Sequence, residues 1–308
     1  ASDIHLEPQE GEMLVRMRID GLLQRVLTVP ADLQNTVISR LKIMGGMNIA
    51  EHKVPQDGHA MFSVRGHSLD LRIASMPTVY GEKIVLRLLD KSAQVLDKSV
   101  LGLEGRDLDN YNALLKNTSG VVLLVGPTGS GKSTTMSNML RDLSSDALNI
   151  VTLEDPVEYI HRHDKCIVNQ REIRCDCPSY VAALRSALRE SPDVIFLGEM
   201  RDRETMEVAM SAAETGQLLL STLHTIGAAN TIDRIIDAFP PEQQSQIRLQ
   251  LSMVLQTVIS QQMVPDVNGD PIPVFEIMHM NLAIRNLIRE SKTHQIDSAI
   301  ASNASQGM

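Results

Sequence analysis

Hydrophobic positions along this chain follow two regimes. Over the first hundred residues they alternate with polar ones and break at short turns. Leu14 to Ile19 and Leu22 to Val26 flank Asp20-Gly21, a two-residue hairpin signal. Between Ala31 and Met44, the residues Leu33, Val37, Leu41 and Met44 recur at helical steps and predict an amphipathic helix. A second hairpin is expected where Met61 to Val64 turns at Arg65-Gly66. Beyond it Leu69, Leu71 and Ile73 alternate with Asp70, Arg72 and Ala74. Ile84 to Leu89 is a further strand that carries Arg87 in an otherwise apolar run. Strands with one helix in this order predict a small α+β domain. Periodicity fades and charge rises from Asp90 to Asp107. The expected division is therefore a domain over 1–92, a linker over 93–106 and a second domain over 107–308.

The second regime alternates short apolar runs with helical stretches. Strands are expected at Val121 to Val125, Asn149 to Leu153, Val194 to Gly198 and Leu218 to Thr222. Helices are expected at Thr134 to Leu143, Pro178 to Glu190 and Arg203 to Thr215. This βαβα order predicts an α/β doubly wound, mostly parallel sheet with its ligand beyond the carboxyl ends of the strands. A helical C-terminal tail follows. Ile247, Leu251, Leu255, Val258 and Ile259 predict one long helix from Glu242 to Met263. Asp266 to Pro273 reads as a turn-rich break, Ala283 to Glu290 and Thr293 to Ala301 as short helices, and Ser302 to Met308 as a frayed end.

The chemistry concentrates where strand gives way to loop. Gly126-Pro127-Thr128-Gly129-Ser130-Gly131-Lys132-Ser133-Thr134 fits G-x-x-x-x-G-K-[S/T] between a strand and a helix, the setting of a phosphate cradle. Glycines let backbone N–H groups turn inward, and the helix N-terminus adds partial positive charge. Lys132 is then expected on the β- and γ-phosphates of a nucleoside triphosphate and Ser133 on Mg²⁺. Acidic residues follow two apolar strands, in Glu154-Asp155-Pro156-Val157-Glu158 and in Gly198-Glu199-Met200-Arg201-Asp202. Such carboxylates hold Mg²⁺ or orient the attacking water. Glu154 and Glu158 are the candidates on the metal side, Glu158 is also a candidate catalytic residue, and Glu199 is the candidate general base. His224, at a third strand end, joins them. Arg72 and Arg87 are either solvated strand-face residues or a pair of guanidinium groups aimed at phosphate.

Composition narrows the remaining options. The balance of 29 basic against 38 acidic residues, a net charge of −9, argues against nucleic acid as the main partner. Aromatics at 3% leave little for base stacking. No apolar run reaches the ~18 residues of a membrane span, so no direct membrane insertion is expected. Three cysteines without secretory context point to a reducing compartment. His161, His163, Cys166, Cys175 and Cys177 could in principle hold zinc. Their spacing fits no paired C-x-x-C ribbon, and a surface loop without zinc is expected. Ala1 opens directly on strand-like pattern, as expected of a piece excised from a longer chain.

With these motifs in place, the chain resembles the hexameric ATPases of type II secretion and type IV pili. Ser2-Asp3-Ile4-His5-Leu6-Glu7-Pro8 and Pro55-Gln56-Asp57-Gly58 look like that family's N-terminal domain. Leu153 to Tyr159 resembles its aspartate box, Leu197 to Asp202 its Walker B segment, and Glu214 to Thr225 its histidine box, with Gln217 standing where the first histidine often falls. The resemblance implies a PAS-like N-terminal domain joined to a P-loop RecA-like domain, and a homohexamer with ATP held between the domains. It implies that Arg72 and Arg87 reach the phosphates from the N-terminal domain. It also implies a cytoplasmic protein docked at the inner membrane on a platform protein of the pilus or secretion machine. Gly81-Glu82-Lys83 and Leu86 to Asp90 look like the extension and secretion branch. Ala283-Ile284-Arg285-Asn286-Leu287-Ile288-Arg289-Glu290 matches the signature helix of the retraction ATPase of twitching motility. A pilus-retraction motor is the first expectation, and an extension or secretion ATPase is the alternative. A catalytically silent nucleotide-binding scaffold ranks behind both.

Overall fold

The computed structural model describes residues 3–19, 22–64, 67–90, 101–144, 147–161, 166–267 and 271–303. The chain divides into two compact units, Ala1–Gln94 with Glu158–Ile160, and Val95–Val157 with His161–Met308.

In the first unit, β1 (Asp3–Pro8), β2 (Glu12–Ile19) and β3 (Leu22–Pro30) precede α1 (Ala31–Met44). Then come β4 (Gln56–Val64), β5 (His67–Thr78) and β6 (Gly81–Asp90). They form one antiparallel sheet in the order β3-β2-β1-β6-β5-β4. Both expected hairpins are present as β2–β3 and β4–β5. Their turn residues, Asp20-Gly21 and Arg65-Gly66, lie outside the described residues, as does the linker up to residue 100. Strand alternation decides the buried face. Leu6, Met13, Val15, Leu71, Ile73, Ile84 and Leu86 pack with Ile38 of α1. The residues between them, among them Asp3, Glu7, Arg16, Arg72 and Arg87, therefore line the opposite face.

The second unit contains α2 (Gly105–Leu114), β7 (Gly120–Val125), α3 (Lys132–Leu143), β8 (Ile150–Glu154), β9 (Val168–Glu172), α4 (Tyr180–Ala187), β10 (Val194–Leu197), α5 (Arg203–Glu214) and β11 (Leu218–Leu223). It continues with α6 (Ala228–Asp237), α7 (Pro241–Val254), β12 (Leu255–Pro265), β13 (Pro271–His279), α8 (Leu282–Arg289) and α9 (Ile296–Ser302). The sheet runs β13-β12-β7-β11-β10-β8-β9. Neighbours from β12 to β9 are parallel, and β13 is an antiparallel edge. Alternate residues of β7 point to opposite faces. Val121, Leu123 and Val125 pack with apolar residues of α4 to α9. Val122 and Leu124 pack with Tyr111 of α2 and with Met136, Met139 and Leu140 of α3. This is the expected doubly wound sheet.

The tail corrects one expectation. The helix predicted from Glu242 to Met263 stops at Val254, and Leu255–Pro265 is a strand. Leu255 is already extended, at φ −65° and ψ 130°. The β-branched run Thr257-Val258-Ile259 suits a strand better than a helix, and it pairs with the open side of β7. The expected break at Asp266 to Pro273 is likewise shortened, because β13 begins at Pro271. The tail is thus helical as α7, α8 and α9, interrupted by a hairpin that completes the sheet.

Candidate nucleotide site

The phosphate-loop motif joins β7 to α3. Pro127, Thr128 and Gly129 are exposed, whereas Gly126, Ser130 and Lys132 are buried. Gly131 caps α3 in the left-handed region at φ 84°, and no side chain caps the helix. Its first N–H groups point out of the helix start, the direction from which a phosphate would approach. Lys132 Nζ donates back to the carbonyl oxygens of Gly126 at 2.6 Å and Pro127 at 2.9 Å. Ser130 Oγ is buried without a hydrogen-bond partner. An uncapped helix start, a buried ammonium and an orphaned hydroxyl fit a bound polyphosphate. Ser133, one residue past the lysine, is partly buried at the start of α3.

The neighbouring strand ends are held together by backbone bonds. Gly126 N donates to Leu223 O at 3.3 Å, Met200 N to Thr222 O at 3.2 Å, and Gly198 N to Leu153 O at 2.8 Å. The expected residues at the ends of β7, β8, β10 and β11 consequently share one rim. Glu199 is buried just past β10. Its Oε1 forms an ion pair with Arg201, and His224 Nε2 lies 3.5 Å from its Oε2. Glu154 is buried at the end of β8, where its Oε1 accepts from Thr152 Oγ1 at 2.6 Å and Gln170 Nε2 at 3.3 Å. Tyr180, at the start of α4, also faces this group. Burial raises its phenol pKa, and the carboxylates of Glu199 and Asp155 raise it further.

The remaining candidates sit on other elements. Glu158 is exposed and groups with the first unit. In that unit Arg72 and Arg87 lie directly opposite each other on β5 and β6. The Arg87 side chain is 67% exposed and pairs with Asp3, Nε to Oδ1 at 3.2 Å. Gln217 immediately precedes β11, whereas His224 immediately follows it. Six residues of strand span about 20 Å, so the position of Gln217 has no part at the rim; there it accepts from Thr215 Oγ1 at 2.8 Å. Asp202 caps α5, with Oδ1 accepting from Thr205 N at 2.9 Å.

The cysteine-histidine group is not the simple surface loop that its spacing suggests. His163 lies outside the described residues. Cys175 is exposed, but Cys177 is buried against one face of the sheet and Cys166 packs against the other. Residues 168–172 between them form β9, an edge strand whose polar sequence hides it from pattern reading. Pattern reading also passes over Tyr180, Thr135 and Gln261. The last two are buried polar residues beside the loop, with Thr135 Oγ1 donating to Gln261 Oε1 at 2.8 Å. A polar residue inside an apolar, β-branched run is the available signal.

A parallel, doubly wound sheet with an uncapped glycine loop and buried carboxylates on adjacent strand ends defines a P-loop protein of RecA-like fold. The family model for Type II/IV secretion system proteins matches residues 1–279, and the chain belongs to that family. The type II secretion system protein E of Xanthomonas campestris is 46% identical over 237 residues, covering 77% of this chain but 41% of that protein. The chain thus spans under half the length of this secretion relative. The type IV pilus retraction ATPase PilT of Pseudomonas aeruginosa is 39% identical over 309 residues, covering 100% of this chain and 87% of that protein. A crystal structure of the pilus retraction motor PilT with bound ADP superposes with a TM-score of 0.77 at 40% identity, covering 97% of this chain and 85% of the other.

Proposed function

We propose that this chain hydrolyses ATP as a motor subunit of a type IV pilus, driving retraction. The observation that carries the hydrolytic reading is Glu199, a buried carboxylate on the same strand-end rim as the phosphate loop. In this reading the loop amides and Lys132 bind the β- and γ-phosphates. Glu199 takes the proton of the attacking water, and His224 orients Glu199. Ser133, Glu154 and Glu158 are the groups that would hold Mg²⁺, whose charge would offset that of the phosphates. Arg72 and Arg87 are assigned the task of adding positive charge at the phosphates. The working unit is a homohexamer bound to a platform protein at the cytoplasmic face of the inner membrane. Among the described residues no helix is long and apolar enough to cross a membrane.

Retraction is preferred because the likeness to PilT runs the length of the chain, whereas the likeness to the secretion protein stops at 77% of it. Secretion or pilus extension with the same chemistry is the second reading, supported by the higher identity over the shared part. Two measurements test the proposal. ATP turnover by the purified chain, with and without DNA, tests the chemistry. Deleting the gene tests the direction: surface pili that accumulate support retraction, and pili that vanish support extension.

A further inference from the structure

We propose that Gln261 is a positioning residue that sets the shape of the phosphate loop. This rests on the reading of the loop as an ATP site. Gln261 is 1% exposed on β12, a strand in which Val258, Ile259 and Ser260 around it are also buried. Its neighbour Ser260 pairs with Val125, the last residue of β7, so Gln261 stands beside the point where the loop begins.

Three contacts tie it to the loop. At the loop's entry, a Cβ on Gly126 would sit 2.1 Å from the Gln261 carbonyl oxygen, so backbone meets backbone with no room for a side chain. At the loop's exit, a Cβ on Gly131 would sit 2.9 Å from Gln261 Nε2. One turn into α3, Thr135 is likewise 1% exposed and donates Oγ1 to Gln261 Oε1 at 2.8 Å. One residue thus touches the beginning, the end and the following helical turn of the segment.

A neutral amide suits this place. An apolar side chain would leave the Thr135 hydroxyl buried without an acceptor, and a carboxylate would set negative charge beside a phosphate site. The loop's amides can face a phosphate only if the curl between Gly126 and Gly131 is held, and β12 holds it through Gln261. Because the contacts are with the loop rather than with the reacting atoms, the residue governs how well nucleotide binds and leaves the chemical step alone.

The test measures Mg²⁺-ATP and Mg²⁺-ADP binding calorimetrically on the full chain, together with kcat. Gln261→Leu keeps the volume and removes the acceptor. Thr135→Val cuts the same bond from the other side and serves if the first variant fails to fold. Both variants should bind both nucleotides about fivefold more weakly, the effect of one buried neutral hydrogen bond. Saturating turnover should stay within about twofold of wild type. The double variant should be no weaker than Gln261→Leu alone, because both polar partners are then gone. Unchanged affinity in the single variants, with or without lost thermal stability, overturns the proposal. So does a fall in kcat at unchanged affinity. A wild-type chain that binds neither nucleotide overturns the ATP reading, and the proposal falls with it.

Discussion

Lys132 Nζ donates to the carbonyl oxygen of Gly126 at 2.6 Å. The same ammonium reaches Pro127 O at 2.9 Å, so this buried cation is held by the carbonyls of its own loop. That arrangement keeps the charge satisfied and near where a phosphate would sit. A phosphate oxygen carries more negative charge than a carbonyl and would compete well for it. Lys132→Ala should therefore abolish the rise in Tm that saturating Mg²⁺-ATP gives the wild type, since stabilisation by ligand follows affinity. Thermal melts with and without nucleotide check this. An undiminished rise in the variant would remove Lys132 from the phosphate site.

Asp202 closes the Gly198-to-Asp202 segment, yet its carboxylate caps α5 and accepts from Thr205 N and Thr205 Oγ1 at 2.9 and 3.0 Å. Asp202→Ala should cost about 1 kcal/mol, the loss of one N-cap. Tm should fall by about 2–4 °C. ATP turnover per folded molecule should stay within about twofold, because the role is in the helix and not in the reaction. Melting curves beside turnover separate the two roles. A large loss of turnover at unchanged Tm would return Asp202 to the site.

Much of this site is legible in the amino-acid sequence, and for a local reason. The phosphate loop is contiguous, so its spacing alone reports its geometry. The acidic segments are legible because each lies at the end of a strand of four or five buried residues, and parallel strands deliver their carboxyl ends to one rim. What escapes depends on partners far along the chain. Ile247, Leu251, Leu255 and Val258 keep helical spacing across Val254, and only pairing with β7 makes the second half a strand. Gln261 meets Thr135 across 126 residues of sequence. β9 hides because an edge strand of Val-Asn-Gln-Arg-Glu buries only its ends. Gln217 and His224 fall in one box because a motif is read as a line, whereas they flank β11 at its two opposite ends.

Acid should weaken the first unit through Glu7. The Arg16 guanidinium, at 2.6 Å, and Lys83, at 2.8 Å, hold its carboxyl down from the ordinary 4.5 to about 2. A depressed carboxyl stabilises the fold above its unfolded pKa, and that contribution is lost as pH falls from 4.5 towards about 2. After allowance for the part-exposed arginine, the contribution is about 1–2 kcal/mol. Glu7→Gln should reduce stability at neutral pH by this amount and flatten its decline between those pH values. Denaturant unfolding at pH 7 and pH 3 checks it. An equally steep decline in the variant would contradict the assignment.

Glu82 and Lys42 form a buried ion pair in the same unit, with side chains 6% and 1% exposed and N and O 2.6 Å apart. The contact is ionic rather than a well-aligned hydrogen bond. Lys42 also donates to Glu51 O, and His52 Nδ1 lies 2.8 Å from the second Glu82 oxygen. Glu82→Ala would strand a buried ammonium and should cost about 3–5 kcal/mol. Lys42→Met with Glu82→Leu should cost much less, because no charge is then left unpaired. Denaturant unfolding of both variants decides between them. Equal losses would show that packing, not charge pairing, holds this region.

In the proposed function hydrolysis turns on Glu199, whose two oxygens face Arg201 and His224. Glu199→Gln preserves shape and nearly all packing while removing the basic oxygen. Turnover and ATP affinity should be measured together on the same preparation. A fall in kcat of about 10² or more is expected, with ATP affinity staying within about threefold of wild type. Turnover within about threefold of wild type would contradict this, since Glu199 would then not be the base.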